Sequence, residues 1–293
     1  MLTAKTISEM SERKSWLDFN TFCGMYGINI YNGDCLDVMD LFIEKGDKFD
    51  MILCDLPYGT TACKWDTIIP FDKLWERYNQ LITPKGAIVL FGTEPFSSHL
   101  RISNLKNWKY DWTWDKITAR GHLVAKVRPM QQTEIISVFG SNGGSINYFP
   151  QMIDRPKDKI MTSWECNRTE IVGGGKQHKE NIKPKVYDQW YPKTLLRYSA
   201  ANNSNNKLHQ TEKPIELLKY LIKTYTKKGD MILDNCIGSG STAVACAELD
   251  RGCQGIELNN EHYEVASRRL TEILNEKRDK QYGYGKYANL FTI

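Results

Sequence analysis

Two short stretches of this chain carry side chains able to do chemistry together. The first is Asp55-Leu56-Pro57-Tyr58, which follows an apolar run at residues 49–54. A carboxylate can accept a hydrogen from an exocyclic amine on a flat base, the carbonyl beside the proline can accept another, and the tyrosine ring can stack on the base. A proline directly after a strand ends it and fixes the backbone. Asp55 and Tyr58 are therefore expected at the carboxyl edge of a sheet, where open α/β sheets bind ligands. Alone, the tetrapeptide reads equally well as a strand-ending turn with a surface aspartate.

The second stretch runs from Asp234 to Thr242 as DNCIGSGST. It has the form of a strand end, a glycine-rich turn and a helix start. Gly238 and Gly240 let the backbone approach a ligand closely, and the helix start directs its N–H groups there. A strand pattern at residues 254–256 ends in Glu257, where a carboxylate can hold ribose hydroxyls. Residues 238–243 also satisfy the GxGxxA pattern of a dinucleotide site. Two features set that nicotinamide reading back. Asp234 stands where a pyrophosphate would prefer no negative charge but the ammonium of a methionine moiety would welcome one. Residues 55–58, moreover, have no evident task in hydride transfer.

The elements that must position these stretches alternate along the chain. A short strand at residues 27–31 leads through Asp34, placed as a helix N-cap, into a helical pattern at 36–44 and then the strand ending at Cys54. Helical spacing at 71–81, a turn at 83–86 and a buried strand at 87–91 follow. Residues 108–114 alternate as a strand with Trp108, Tyr110, Trp112 and Trp114 on one face, and residues 134–139 form another. Beyond Lys213-Pro214 the spacing predicts a helix at 215–225 and a strand at 231–233. Strands separated by helices indicate a mostly parallel α/β sheet.

Composition narrows the class. The chain has 293 residues, a net charge of +4 and eight cysteines. That length allows one large domain or one with an insertion. The cysteines show no metal-ligand or disulfide spacing, so no metal site is indicated and reduced thiols in a cytoplasmic protein are expected. No apolar run approaches the roughly 20 residues that span a bilayer, which points away from a membrane partner. Residues 1–26 read as a weakly patterned lead-in. Between residues 141 and 208 periodicity is lost, and basic side chains outnumber acidic ones by roughly two to one. Lys176, Lys179, Lys183 and Lys185 lie among interleaved tryptophans and tyrosines, as expected of a phosphate-facing surface.

The combination of DLPY, then HQTEKP at residues 209–214, then DNCIGSGST and GIELNNEHYEVA, resembles the amino-methyltransferases that modify adenine N6 or cytosine N4 in DNA. The order is that of their β subgroup, with the catalytic motif first and the cofactor motif last. Leu56 and Gln210 stand where the family usually has proline, and Asn235-Cys236 where it usually has Pro-Phe.

The resemblance implies a Rossmann-like methyltransferase fold with a mostly parallel seven-stranded sheet, helices on both faces and permuted motif order. It implies a catalytic half at residues 27–140, a target-recognition insertion at 141–208 and a cofactor half at 209–293. It also implies S-adenosylmethionine as cofactor, held by Asp34, Thr211, Lys213, Asp234, Gly238, Ser239, Gly240, Glu257 and Asn259. Thr211 and Lys213 would close its carboxylate end. Asp55, Leu56, Pro57 and Tyr58 would act on the target base, with Trp65 a second stacking side chain. Double-stranded DNA is the implied partner, and a homodimer and a cognate restriction endonuclease are compatible with the family. Aspartate heading the tetrapeptide favours adenine N6; cytosine N4 methylation and a non-catalytic cofactor-binding DNA-binding protein are the alternatives. Replacing Lys176, Lys179 and Lys183 with alanine should weaken DNA binding and flatten its salt dependence by about 0.9 for each phosphate no longer neutralised. A salt titration with an unchanged slope would remove these lysines from the DNA surface.

Overall fold

The computed structural model describes residues 27–59, 67–141, 143–163, 185–200 and 212–282. They fall into two compact units. The larger lies within residues 1–149 and 194–293, and the smaller is Pro150–Lys193.

The larger unit is built on one eight-stranded sheet. In chain order its elements are β1 (Ile28–Asn32), α1 (Cys35–Lys45), β2 (Phe49–Cys54), α2 (Phe71–Leu81), β3 (Ile82–Gly92), α3 (Phe96–Ser103), β4 (Trp108–Arg120) and β5 (Gln131–Gly140). The smaller unit holds β6 (Ile153–Asp154), β7 (Met161–Ser163), β8 (Lys185–Tyr187) and β9 (Gln189–Trp190). The larger resumes with β10 (Leu195–Arg197), α4 (Ile215–Tyr225), β11 (Met231–Asp234), α5 (Ser241–Leu249), β12 (Gly252–Glu257) and α6 (Asn260–Tyr282). Across the sheet the strands run β1-β12-β11-β2-β3-β5-β4-β10, and β5 alone is antiparallel to its neighbours.

The central strands are apolar on both sides because both faces are covered. Met51 and Leu53 of β2 pack into a core with Leu217 and Leu221 of α4 and Ala266 of α6. Ile52 and Cys54, pointing the other way, meet Phe42 of α1 and Leu74, Trp75 and Tyr78 of α2. Helix α1 begins where the Asp34 side chain accepts the Leu36 N–H at 2.8 Å and ends at Gly46, whose φ of 75° favours glycine.

Three expectations are corrected. The sheet has eight strands rather than seven, because Leu195–Arg197 pairs in parallel with residues 113–115 of β4. A three-residue edge strand is too short to show a period. The smaller compact unit, Pro150–Lys193, falls within residues 141–208. Within it, β6 pairs with β9 and β7 with β8, both antiparallel, and the Arg155 guanidinium lies over the Trp190 ring. The second correction concerns β4. A register shift between Trp108 and Tyr110 places Trp108 against the α1–α2 core, whereas Tyr110, Trp112 and Trp114 face the α4 side. One extra residue in a strand sends the side chains beyond it to the opposite face. Finally, residues 83–86, expected as a turn, are a bulge inside β3, since Phe49 pairs with Ile82 and Met51 with Ala87. Among the described residues no helix is long and apolar enough to cross a membrane.

Helix α4 is fastened to the sheet by a polar contact within its apolar interface. The Tyr225 hydroxyl accepts the Trp112 indole N–H at 2.6 Å and lies 3.1 Å from the Tyr110 hydroxyl. Tyr225→Phe leaves the buried indole donor unpaired, which should cost about 1–3 kcal/mol in denaturant unfolding. A loss below a few tenths would show that the indole finds another acceptor.

Candidate active site

The carboxyl ends of two adjacent parallel strands create the site. Leu233 of β11 lies opposite Ile52 of β2, so Asp234 and Asp55 leave the sheet side by side. One cavity of about 590 Å³ is lined by both aspartates, by Pro57 and Tyr58, and by Asp34, Gly238, Ser239 and Glu257. Two stretches about 180 residues apart in sequence therefore share one space.

Around Asp55 the side chains form a closed polar network. Its Oδ2 is 2.5 Å from the Lys213 ammonium, and its Oδ1 accepts the Tyr58 hydroxyl at 2.5 Å. The Tyr58 hydroxyl oxygen also lies 3.1 Å from Glu134 Oε1. The Lys213 ammonium reaches that same oxygen at 3.0 Å, and Lys116 holds the other Glu134 oxygen at 2.7 Å. Two carboxylates thus face two ammonium groups. The Lys213 ammonium also lies 4.9 Å from the centre of the Phe91 ring. The Tyr58 ring packs on Phe96 with centroids 4.9 Å apart. Leu56 is buried against the α1–α2 core and anchors the turn.

Burial and partners set the charges. Burial raises the Asp55 carboxyl above its ordinary value, Lys213 pulls it back, and Glu134 adds to the rise. Burial acts on Glu134 in the same sense, but Lys213 and Lys116 together outweigh it and hold that carboxyl below the usual range. Burial disfavours the Lys213 charge, yet Asp55 and Glu134 more than compensate and raise its pKa. Among the described residues Asp234 has no such cation, and burial pushes it up to about 7. Burial likewise lifts the Cys54 thiol to about 12, so it offers no nucleophile.

The glycine turn is built for close approach. Gly238 has φ +55°, and a Cβ there would meet nothing within 4 Å, so its backbone faces open space. The Gly238 N–H donates to Glu257 Oε2 at 2.9 Å, and the Asn259 N–H to Oε1 at 2.8 Å. Behind the turn, Glu212 accepts from Ser241 at 2.9 Å and pairs with Arg269 at 2.6 Å.

The sequence profile of the DNA methylase family of N6 and N4 methyltransferases matches residues 49–268. The chain belongs to this DNA methylase family. It is 44% identical over 297 residues to the Type II methyltransferase M.HindIII of Haemophilus influenzae, across 82% of this chain and 94% of the relative. It is 24% identical over 260 residues to M1.MboII of Moraxella bovis, across 83% and 96%. Among solved structures, the M1.HpyAVI complex with S-adenosylmethionine superposes with a TM-score of 0.57 at 23% identity, covering 83% of this chain and 98% of that one. The cytosine-N4-specific PvuII methyltransferase gives 0.57 at 13% identity, covering 85% and 92%. At those identities the likeness establishes the methyltransferase fold.

Within this DNA methylase, some expected site residues converge and others do not. Asp34, Asp234, Gly238, Ser239 and Glu257 line the cavity beside residues 55–58. Lys213 lines the same cavity, with its ammonium paired to Asp55 and Glu134. Asn259 is outside the cavity lining. Its Oδ1 accepts the N–H groups of Glu261 and His262, which makes it the cap of α6. Gly240 is also absent from the lining. Its φ is +83°, and a Cβ would come within 3.1 Å of Ala266, so glycine is needed there for helix packing. Thr211, Trp65, Lys176, Lys179 and Lys183 lie outside the described residues, and for Lys185 only its place at the head of β8 is described.

Glu134, Lys116, Glu212 and Arg269 were not singled out from the sequence. Glu134 alone carried a signal, a carboxylate heading an apolar strand much as Asp55 ends one.

The raised Asp234 pKa has a consequence for stability. A carboxyl whose folded pKa of about 7 exceeds its ordinary 3.8 favours the folded state when protonated. Its contribution is fully present below 3.8 and is lost as pH rises through about 7. Asp234→Asn should therefore stabilise the cofactor-free protein above pH 7, on the order of 2 kcal/mol, and flatten that part of its melting profile between pH 4 and 7. Thermal melts showing the same pH slope in both proteins would contradict the assignment.

Proposed function

We propose that this chain is a site-specific methyltransferase that moves a methyl group from S-adenosylmethionine to N6 of an adenine turned out of double-stranded DNA. The observation that carries the reading is the single cavity lined by Asp55, Tyr58, Asp234, Gly238 and Glu257. Supporting it, M1.HpyAVI and the Thermus thermophilus protein TTHA0409, of the same fold, were solved as complexes with S-adenosylmethionine.

The residues present fit that cofactor. Asp234 is a buried carboxyl with no cation beside it among the described residues, suited to an ammonium group. Glu257 spends two of its roughly four lone-pair sites on backbone N–H groups and keeps the others for ribose hydroxyls. Gly238 and Ser239 would border the cofactor where no side chain stands in the way, and Asp34 would face its adenine. When bound, S-adenosylmethionine supplies a methyl group already activated by its positive sulfur.

The remaining work belongs to Asp55, Leu56 and Tyr58. An aromatic amine is a weak nucleophile because its lone pair is delocalised into the ring. Hydrogen bonds from the amine to Asp55 and to the Leu56 carbonyl would localise that pair and aim it. Tyr58 and Lys213 each occupy one Asp55 oxygen, which leaves a lone pair on each for the amine. The Asp55 side chain is 29% exposed, so it can be reached. With its pKa raised by burial, the carboxylate can also take the proton that the amine loses on gaining the methyl group. Tyr58 would stack on the extruded base and recover about 1–3 kcal/mol of the cost of extrusion. The basic stretch around Lys176, Lys179, Lys183 and Lys185 would supply phosphate contacts in a target-recognition insertion.

Cytosine N4 is the second reading, and the fold shared with PvuII methyltransferase accommodates it. Digesting DNA from cells that express this chain, and identifying the nucleosides, should yield N6-methyl-2′-deoxyadenosine. N4-methyl-2′-deoxycytidine would replace the first reading by the second. Asp55→Ala should abolish transfer while S-adenosylmethionine still binds, because Lys213 keeps Glu134 as a partner. Retained turnover would remove Asp55 from its role. Modification-sensitive sequencing of the same DNA maps the recognition site.

A further inference from the structure

The turn between β4 and β5 has a composition that neither the core nor the cavity explains. From Lys116 to Thr133 the chain contains Lys116, Arg120, Lys126 and Arg128 and no acidic residue. At its tip, Gly121 leads into a 3-10 turn at His122–Val124. Leu123 is 101% exposed and Val127 84%. Large aliphatic side chains left wholly in water on a tight, basic turn have no role in packing. Among the described residues Arg120, Lys126 and Arg128 form no ion pair.

The base of the turn is fixed to the site. Asp115 pairs with Thr133 and Arg120 with Gln131, so residues 116–119 bulge between the two pairs. Asp115 Oδ1 accepts the Ile117 N–H and the Gln132 amide, each at 2.8 Å. Ile117 takes φ +68°, a costly conformation for a β-branched residue. The strained bulge turns Lys116 inward to Glu134 while Ile117 faces solvent. Lys116 and Arg120 both line the cavity that holds Asp55. The basic turn is thus continuous with the rim of the proposed base pocket.

We infer that this turn is a wedge for duplex DNA: Arg120, Lys126 and Arg128 grip the phosphates flanking the target, and Leu123 with Val127 enters the stack where the target base has left. Aliphatic wedges between base steps, flanked by basic side chains, are a general way to unstack DNA. A polyanion matches the uniform positive charge, and an extruded base leaves an apolar gap in the stack. This inference rests on the methyl-transfer reading above.

The test uses the full chain with Leu123→Ala and Val127→Ala combined. Both positions are on the surface, so the variant should melt and sediment like the wild type. The substrates are duplexes carrying the mapped site, with the target base either paired or facing an abasic position, where extrusion costs little. On the paired duplex the variant should lose about tenfold or more in initial rate, and on the abasic duplex it should return to within about twofold of wild type. With 2-aminopurine at the target, its fluorescence rise on binding should shrink on the paired duplex only. No loss, an equal loss on both substrates, or a loss traced to altered sedimentation would overturn the wedge and leave methyl transfer standing; the last would instead indicate contact with a second copy of the chain. If sequencing finds no modified base, the methyl-transfer reading falls and takes the wedge with it.

Discussion

A single ammonium group, that of Lys213, holds the site together. It stands between the carboxylates of Asp55 and Glu134, with only 12% of its side chain exposed. These three residues come from the end of β2, the head segment of β5 and the stretch before α4. Removing one partner from such a buried cluster strands a charge and typically costs about 3–5 kcal/mol, so the geometry around Asp55 is held firmly. The neighbouring residue does the complementary task, since Glu212 reaches the other way to Ser241 and Arg269 behind the glycine turn. Two consecutive side chains therefore tie the Asp55 side and the glycine-turn side of one cavity to a common backbone.

That clamp works because of the sheet order. From β11 the chain proceeds to β12 on one side, and from β2 it proceeds to β3 on the other. Helices α2 and α5, which make these two connections, lie on opposite faces. Connections diverging in this way leave a crevice between the carboxyl ends of the two strands, the usual ligand site of open α/β sheets. Asp55 and Asp234 mark its two walls. Their surroundings differ: Asp55 faces the Lys213 ammonium, whereas burial pushes the Asp234 carboxyl up to about 7.

Much of this was legible in the residues. The apolar runs ending in Asp55 and Asp234, the glycine turn at Gly238 and the cap at Asp34 are local signals, and local signals survive folding. What escaped notice depended on three-dimensional neighbours. The resemblance assigned Lys213 to the cofactor through the HQTEKP motif, and only the three-dimensional fold shows its ammonium beside Asp55. Asn259 and Gly240 lie within motif sequence, yet one caps a helix and the other admits Ala266. The bulge after Trp108 leaves no mark in an alternating pattern, and β10 is shorter than any period. Glu134 could have been noticed as a charge at the mouth of an apolar strand.

The interleaving of β12 and β11 between β1 and β2 bears on how the chain is made. During synthesis from the amino end, β1 and β2 emerge without the strands that separate them, and both expose edges with unpaired backbone groups. Those edges wait until residue 257 has left the ribosome. A nascent chain in that state has little local structure to rest on and is open to wrong pairings with other chains, so its passage to the native state is governed by the arrival of its last strands.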